Sequence, residues 1–291
     1  MPLYALSDRS LITLHGADAA SFLHGLITTD VEGIEAGVAE AGALLTPQGK
    51  ILFDFLISRD DAGFTIEVAT SEAEALAKRL AMYKLRAAVT LSLPEPVAVV
   101  LGHDVAAPAG AVIDGRFRRA GLGVWRARGT VAETIDDRAS IIEDSDALDA
   151  LHIAAGIARA GSDYALSDAF PHDVLLDRNG GLSFRKGCYV GQEVVSRMQH
   201  RSTARRRVVI LSADVALPES GTPVTAGGKP LGTLGTVAGN RALAILRIDK
   251  VADAVADGVP ILAGEVPVTA DLPGWTGLAF PAPSEAGAEA P

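Results

Sequence analysis

The sequence predicts an α+β chain that ends in a small all-β barrel or sandwich. Up to about residue 205, helix-periodic stretches alternate with β-like runs. Beyond it the texture changes. "RRVVILSA", "TPVTAGGKPLGTLGTVAGNRALAILRI" and "VPILAGEVPVTADL" are short β runs separated by Gly, Pro and Asn turns. With 48% hydrophobic and 21% charged residues among 291, the chain can bury a sizeable core and has room for two or three domains.

Taken in order, "DAASFLHGLIT" reads as a helix with Asp18 as its N-cap and Phe22, Leu23 and Leu26 on one face. "TPQGK" (46–50) is a turn leading into the apolar strand "ILFDFLIS", interrupted by Asp54. "FTIEVAT" (64–70) is a second strand. Ser71 and Glu74 form a capping box ahead of the amphipathic helix "EAEALAKRLAMYKL". Short β runs follow at 87–93, 96–101 and 121–126. "SDALDALHIAAGIARAG" (145–161) is a helix with Ser145 as cap and Gly161 at its end. "FPHDVLLDRNGGLSFRKG" reads as extended with a tight turn at "RNGG", and "GQEVVSRMQH" is a short helix after Gly191. The Pro/Ala-rich tail is expected to be disordered.

Composition excludes several function classes. Cys188 is the single cysteine, so the chain has no internal disulfide and no multi-cysteine metal site of its own. Six histidines (15, 24, 103, 152, 172 and 200) show no metal-ligand spacing and read as structural; no metal is expected. The formal charge of −10 argues against a general nucleic-acid or membrane-surface binder. No apolar run approaches the roughly 20 residues that cross a bilayer. A free thiol and an N-terminus without signal-peptide character lead to an expected location in the cytoplasm.

Chemistry concentrates in "RKGCYVGQEVVSRMQHR" (185–201). Over 185–207 there are seven basic residues (Arg185, Lys186, Arg197, Arg201, Arg205, Arg206, Arg207) and one acid, Glu193. A segment at +6 on a chain at −10 fits one anionic ligand or partner surface, or else a solvated connector. Glu193 and Arg197 stand at i,i+4 and can pair on a helix; Glu193 can equally accept two hydrogen bonds from an amino-heterocycle. Periodicity does not choose between these. Cys188, beside Lys186 and just before a helix start, is set up to favour its thiolate, or else is a small buried side chain. Other motifs fail: "GKI" (49–51) lacks the pattern of a phosphate-binding loop, "GLGVWR" lacks the third Gly of a dinucleotide fingerprint, and no G-x-S-x-G elbow occurs.

At "KGCYVGQEVVSR" the chain resembles the YgfZ family of folate-binding proteins, relatives of the glycine-cleavage T-protein (aminomethyltransferase) and of a mitochondrial iron–sulfur assembly factor. The signature K-G-C-Y-x-G-Q-E stands intact at Lys186–Glu193. "GADAASFLHGLITTDV" (16–31), "LLTPQGKILFDFLI" (44–57) and "GLSFRKG" are similar to further family segments. The resemblance implies an α+β fold: two α+β lobes of the T-protein type (1–100 and 101–205, free to interleave), then a C-terminal β-barrel (206–280) and a tail (281–291). It implies tetrahydrofolate as cofactor, with Lys186, Tyr189, Gln192, Glu193 and Arg197 at the folate and Cys188 as the reactive thiol. It further implies support of iron–sulfur enzymes, tRNA-modifying ones included, with client or assembly proteins as partners. Arg201, Arg205, Arg206 and Arg207 would meet a partner, RNA among the candidates. T-protein relatives carry an acidic pair on the strand matching 51–57, whereas here it reads Phe53-Asp54. Asp54 is therefore the candidate acid/base of an alternative reading, one-carbon transfer. A purely structural adaptor is the third reading.

Overall fold

The computed structural model describes residues 3–133, 135, 141–142, 145–200 and 204–282. They form two compact units that interleave along the chain. The first comprises the described residues within 1–144, 166–171 and 176–197; the second comprises those within 145–165, 172–175 and 198–291.

In the first unit the order is β1 (Leu3–His15), α1 (Ala19–His24), β2 (Val38–Leu45), β3 (Ile51–Arg59), β4 (Phe64–Ala69), α2 (Thr70–Lys84), β5 (Thr90–Leu91), β6 (Glu95–His103), β7 (Val112–Asp114), α3 (Gly115–Arg119), β8 (Val124–Arg128), α4 (Thr130–Glu133) and β9 (Ile141–Ile142). The sheet path β4-β3-β2-β7-β8-β6-β1 is closed by an antiparallel β1–β4 pairing, from Arg9↔Ala69 to Leu14↔Phe64. These strands therefore make a closed ring, with β5 and β9 paired to β1 beside it. Side chains alternate across a strand. One face of β1, β3 and β4 (Ile12, Leu14, Phe53, Phe55, Ile57, Phe64, Ile66, Val68) packs with Leu23 of α1 and with Ala73, Leu76 and Leu80 of α2. Residue 100 lies inside β6, which pairs with β1 on one side and β8 on the other.

The second unit holds α5 (Ser145–Ala155), the end of α6 (Gln192–His200), β10 (Arg206–Ser212), β11 (Pro223–Ala226), β12 (Lys229–Ala238), β13 (Arg241–Arg247), α7 (Ile248–Ala256), β14 (Ile261–Ala263) and β15 (Val266–Asp271). Its strands form a closed barrel in the order β10-β13-β12-β11-β14-β15, as the Gly- and Pro-punctuated sequence predicts. The barrel core (Val209, Leu211, Val224, Leu234, Leu246) is continuous with Val251 and Ala254 of α7.

Several local expectations are corrected. Asp18 stands at the N-cap of α1 but does not cap it; its Oδ2 accepts from the Ala88 amide at 2.7 Å. α2 starts at Thr70 with Ala69 as N-cap and no side-chain cap, so Ser71 and Glu74 form no capping box. α5 stops at Ala155, because Gly156 takes a φ of 66° and its α-carbon sits against Pro273. The cap expected of Ser145 concerns a side chain outside the described residues. Residues 171–180 are a run of turns, not an extended segment, with Leu175 at a φ of 62°. The tail expected to be disordered falls, from 283 on, outside the described residues.

Candidate functional site

Three segments far apart in sequence meet in the first unit. The chain leaving α1 pairs with β2: Ile27 bridges to Leu44, and Thr28 N–H donates to Ala43 O at 2.9 Å. Thr28 Oγ1 accepts from Ala43 N–H (3.0 Å) and donates to Gly181 O (2.5 Å). Ser183 N–H donates to Thr28 O at 3.0 Å. The signature then follows. Lys186 is buried, and its ammonium donates to Ile27 O (2.6 Å) and Thr29 O (2.8 Å). Further along, Gly191 lies against the turn at 46–50. A β-carbon there would sit 2.5 Å from Thr46 O, and its φ of 80° also demands glycine. Gly49 in turn leaves room only for Val194, 3.0 Å from where its own β-carbon would be. α6 starts after this contact and buries Val195.

The outcome is an alternation of seats. Lys186 and Tyr189 point inward, whereas Gly187 and Cys188 are exposed. The Lys186 ammonium lies 5.2 Å from the centroid of the Tyr189 ring, a cation–π distance. Burial pushes Lys186 down from the ordinary lysine value of 10.5 to about 8, against the pull of Asp30 and Glu32. Burial likewise raises the Tyr189 phenol, whose hydroxyl has no hydrogen-bond partner among the described residues. Gly187 N–H donates to His24 Nε2 at 3.4 Å, and His24 Nδ1 faces Asp30 Oδ1 at 3.8 Å. The loop that exposes the thiol is thus clamped on both flanks and braced by an imidazole.

The other residues nominated from sequence are dispersed. Gln192 is half-buried at the start of α6. Glu193 and Arg197 are exposed and form the i,i+4 pair, Nη2 to Oε1 at 2.7 Å. Lys186 is not a free cation for an anionic tail, because backbone carbonyls occupy it. The basic row does not line up as expected. In the second unit Arg207 is buried and donates to His172 O at 2.7 Å, and Arg206 stands 3.9 Å from Asp173. Arg205 is exposed, and Arg201 lies outside the described residues. Asp54 is half-buried on β3, opposite Ala43.

A buried ion-pair network on the ring face opposite the apolar core was not nominated. Fully buried Glu67 receives hydrogen bonds from Arg9 (3.2 Å), Arg126 and Arg128 (2.7 Å). Arg126 also bonds Asp114 at 3.2 Å, and Asp114 holds Arg116 through both carboxylate oxygens. Burial alone would raise Glu67, but Arg126, Arg128 and Arg9 outweigh it and hold the carboxyl well below the usual range. Burial would lower Arg116; Asp114, Glu67 and Asp54 together raise it. Asp54 therefore belongs to the electrostatics of this network. Its sequence signal is a period of two: Arg126 and Arg128 alternate on β8, and Glu67 sits between Ile66 and Val68. Among the described residues no cluster of His, Cys, Asp and Glu is placed to hold a metal ion.

Comparison with known proteins agrees with this architecture. Residues 205–278 match the family model "CAF17, C-terminal beta-barrel domain". A glycine cleavage system aminomethyltransferase T from Bartonella henselae superposes with a TM-score of 0.72 over 93% of this chain and 84% of that one, at 16% identity, which shows a shared fold. The mitochondrial iron–sulfur cluster assembly factor IBA57 of Homo sapiens is 30% identical over 94% of this chain and 84% of its own length. The homologue from Pyricularia oryzae is 30% identical over 90% and 75%, respectively. The Neurospora crassa homologue is 32% identical over 75% of this chain, which spans only 55% of that protein. These relatives are mitochondrial by name, which overturns the expectation of a cytoplasmic location. With such identity carried across most of both chains, the protein belongs to the IBA57 family of iron–sulfur cluster assembly factors.

Proposed function

We propose that this protein is a tetrahydrofolate-binding accessory factor, akin to the YgfZ family, that supports assembly or repair of iron–sulfur proteins, tRNA-modifying enzymes among them. The observation that carries the reading is the exposed Cys188 between two inward anchors, Lys186 and Tyr189. An idle surface cysteine needs no such clamp; a thiol that must meet a partner's sulfur or metal does. Glu193, exposed at the start of α6, is the carboxylate offered to the amino-pyrimidinone edge of the folate.

Two measurements test it. Cys188 is the sole thiol, so alkylation of the native protein reports on it alone. The native thiol is expected to alkylate without denaturant. Cys188→Ala is expected to fold normally and to fail to restore iron–sulfur enzyme activity in a strain lacking its own factor; restored activity would make the thiol idle. For the ligand, calorimetry of Glu193→Gln is expected to show tetrahydrofolate affinity reduced about 10- to 150-fold, the loss of one charged hydrogen-bond partner. Unchanged affinity in the folded variant would remove Glu193 from the folate site. A second reading, one-carbon transfer with Asp54 as acid/base, is favoured by that half-buried carboxylate on a T-protein-like fold. It requires transfer activity in the wild type that Asp54→Asn loses.

A further inference from the structure

The end of α2 and the two residues after it read "KRLAMYKLR" (78–86): four basic residues and no acid, in a chain of net −10. Lys78, Arg79, Lys84 and Arg86 have no ion-pair partner among the described residues, in contrast to the arginines clustered around Glu67. The same region is unusually apolar for a surface. Of the eight large hydrophobic side chains exposed among the described residues, Met82, Tyr83, Leu85 and Leu93 fall within 82–93. Leu85 and Leu93 are 89% and 87% exposed, values at which a leucine does nothing for the core. Leu85 is also held at a φ of 42°, in the half of the map that L-residues avoid.

Leu93 lines a groove of about 630 Å³ that runs along α2. Ala73, Ala77 and Ala81 form its α2 wall, and Leu91, Leu93 and Pro94 the other. Glu74 and Lys78 also line it, and the spacing 70, 74, 77, 81 is that of a single helix stripe. Alanines on that stripe leave the wall low, so a second helix can approach closely. Lys78 lies one turn from Met82, which places unpaired charge directly beside exposed apolar surface.

We infer that this groove and its basic, apolar margin dock an acidic amphipathic helix of a protein partner. Apolar side chains of that helix at i, i+3, i+4 and i+7 would enter the groove against Ala77, Ala81 and Leu93. Its carboxylates would meet Lys78, which lines the groove, and Lys84 and Arg86 at the end of α2, which complement them. A flat anionic bilayer satisfies the charge but cannot follow a concave wall down to Ala73 and Leu91. The partner's role in iron–sulfur assembly rests on the reading above; the surface does not.

The test uses the full chain and a labelled helical peptide of Glu and Leu with the leucines on one face, read by fluorescence anisotropy. Binding is expected, weakening as salt shortens the screening length from about 10 Å at 0.1 M. Leu93→Asp, and separately Lys84→Glu with Arg86→Glu, are expected to weaken it about 10-fold or more, equivalent to about 1.4 kcal/mol. Leu93 and Arg86 are exposed and Lys84 is half-buried without an ion-pair partner among the described residues, so folding should survive, and Cys188 should alkylate at the wild-type rate. A peptide of equal charge with its leucines scattered should bind poorly. The inference is overturned if the peptide does not bind, or binds both variants as well as the wild type. It is equally overturned if phosphatidylserine vesicles bind and the peptide does not, or if the wild type sediments as a dimer that Leu93→Asp dissociates. In the assembly-deficient strain, variants that fail where the wild type succeeds extend the inference to function. A wild type that fails there counts against the reading of function alone, since the peptide measurement stands without it.

Discussion

Lys186 carries the largest residue-scale consequence. Its place in the sequence offers its ammonium to a ligand or to the nearby thiol, yet in the fold it donates to Ile27 O and Thr29 O. Lys186→Met strands both carbonyls and should destabilise the protein by about 2 kcal/mol near neutral pH, as judged by urea unfolding. The pH dependence follows from the lowered value. Between about 8 and 10.5 the unfolded chain holds a proton on this side chain that the native state has released. Stability therefore rises with pH across that window, and the cost of the buried charge is present in full below it. A Lys186→Met protein should lack this rise. If wild type and variant show parallel profiles from pH 7 to 10.5, Lys186 is not the group responsible. A sequence shows a lysine beside a cysteine; it does not show that acceptors lie 157 and 159 positions upstream.

At the scale of elements, the contact between the turn at 46–50 and the start of α6 decides whether the signature stays seated. Gly191→Ala would place a β-carbon 2.5 Å from Thr46 O at a φ of 80°. Backbone strain alone should cost about 1–3 kcal/mol, and it falls locally. Limited trypsin digestion should then nick the chain after Lys186, a bond that burial protects in the wild type. Equal nicking rates would show that the seat does not depend on this contact. Much of the element order was legible in the sequence, for stated reasons. The strands at 51–59 and 64–69, the helix 70–84, the short helix after Gly191 and the closing barrel all carry strong periodicity or turn chemistry. The misreadings lie where a distant partner won. Ala88 took the Asp18 carboxylate, Pro273 met Gly156 at the end of α5, and the turns at 171–180 replaced an extended segment. For the site, sequence leaves Cys188 either exposed or buried and Glu193 either paired with Arg197 or open to a ligand; the fold chooses the exposed thiol and the ion pair, and the clamp around them is not legible at all. Arg207 looked like part of a basic row because sequence gives charge and not burial.

For the molecule as a whole, the network around Glu67 ties β1, β4 and β8 together on the ring face away from the apolar core. Glu67→Gln leaves Arg9, Arg126 and Arg128 without their shared anion and should cost about 3–5 kcal/mol in denaturant unfolding at neutral pH. The acid limb has a defined sign. The carboxyl is held below its ordinary value of 4.5, so its contribution is complete above that pH and is lost as pH falls through 4.5 toward the native value. The Gln variant should be less steeply acid-sensitive; an unaltered acid limb would mean another carboxylate controls it. The interleaving of the two units also has a consequence in time. A ribosome completes every strand of the ring by Arg128, and the segment carrying Cys188 emerges only some sixty residues later. Domains begin to fold while synthesis continues, and every ring strand is available to pair before Lys186 emerges to reach Ile27 O and Thr29 O. Translation thus delivers scaffold first and thiol last, and a chain stalled before the signature is a nearly finished ring that carries no sulfhydryl.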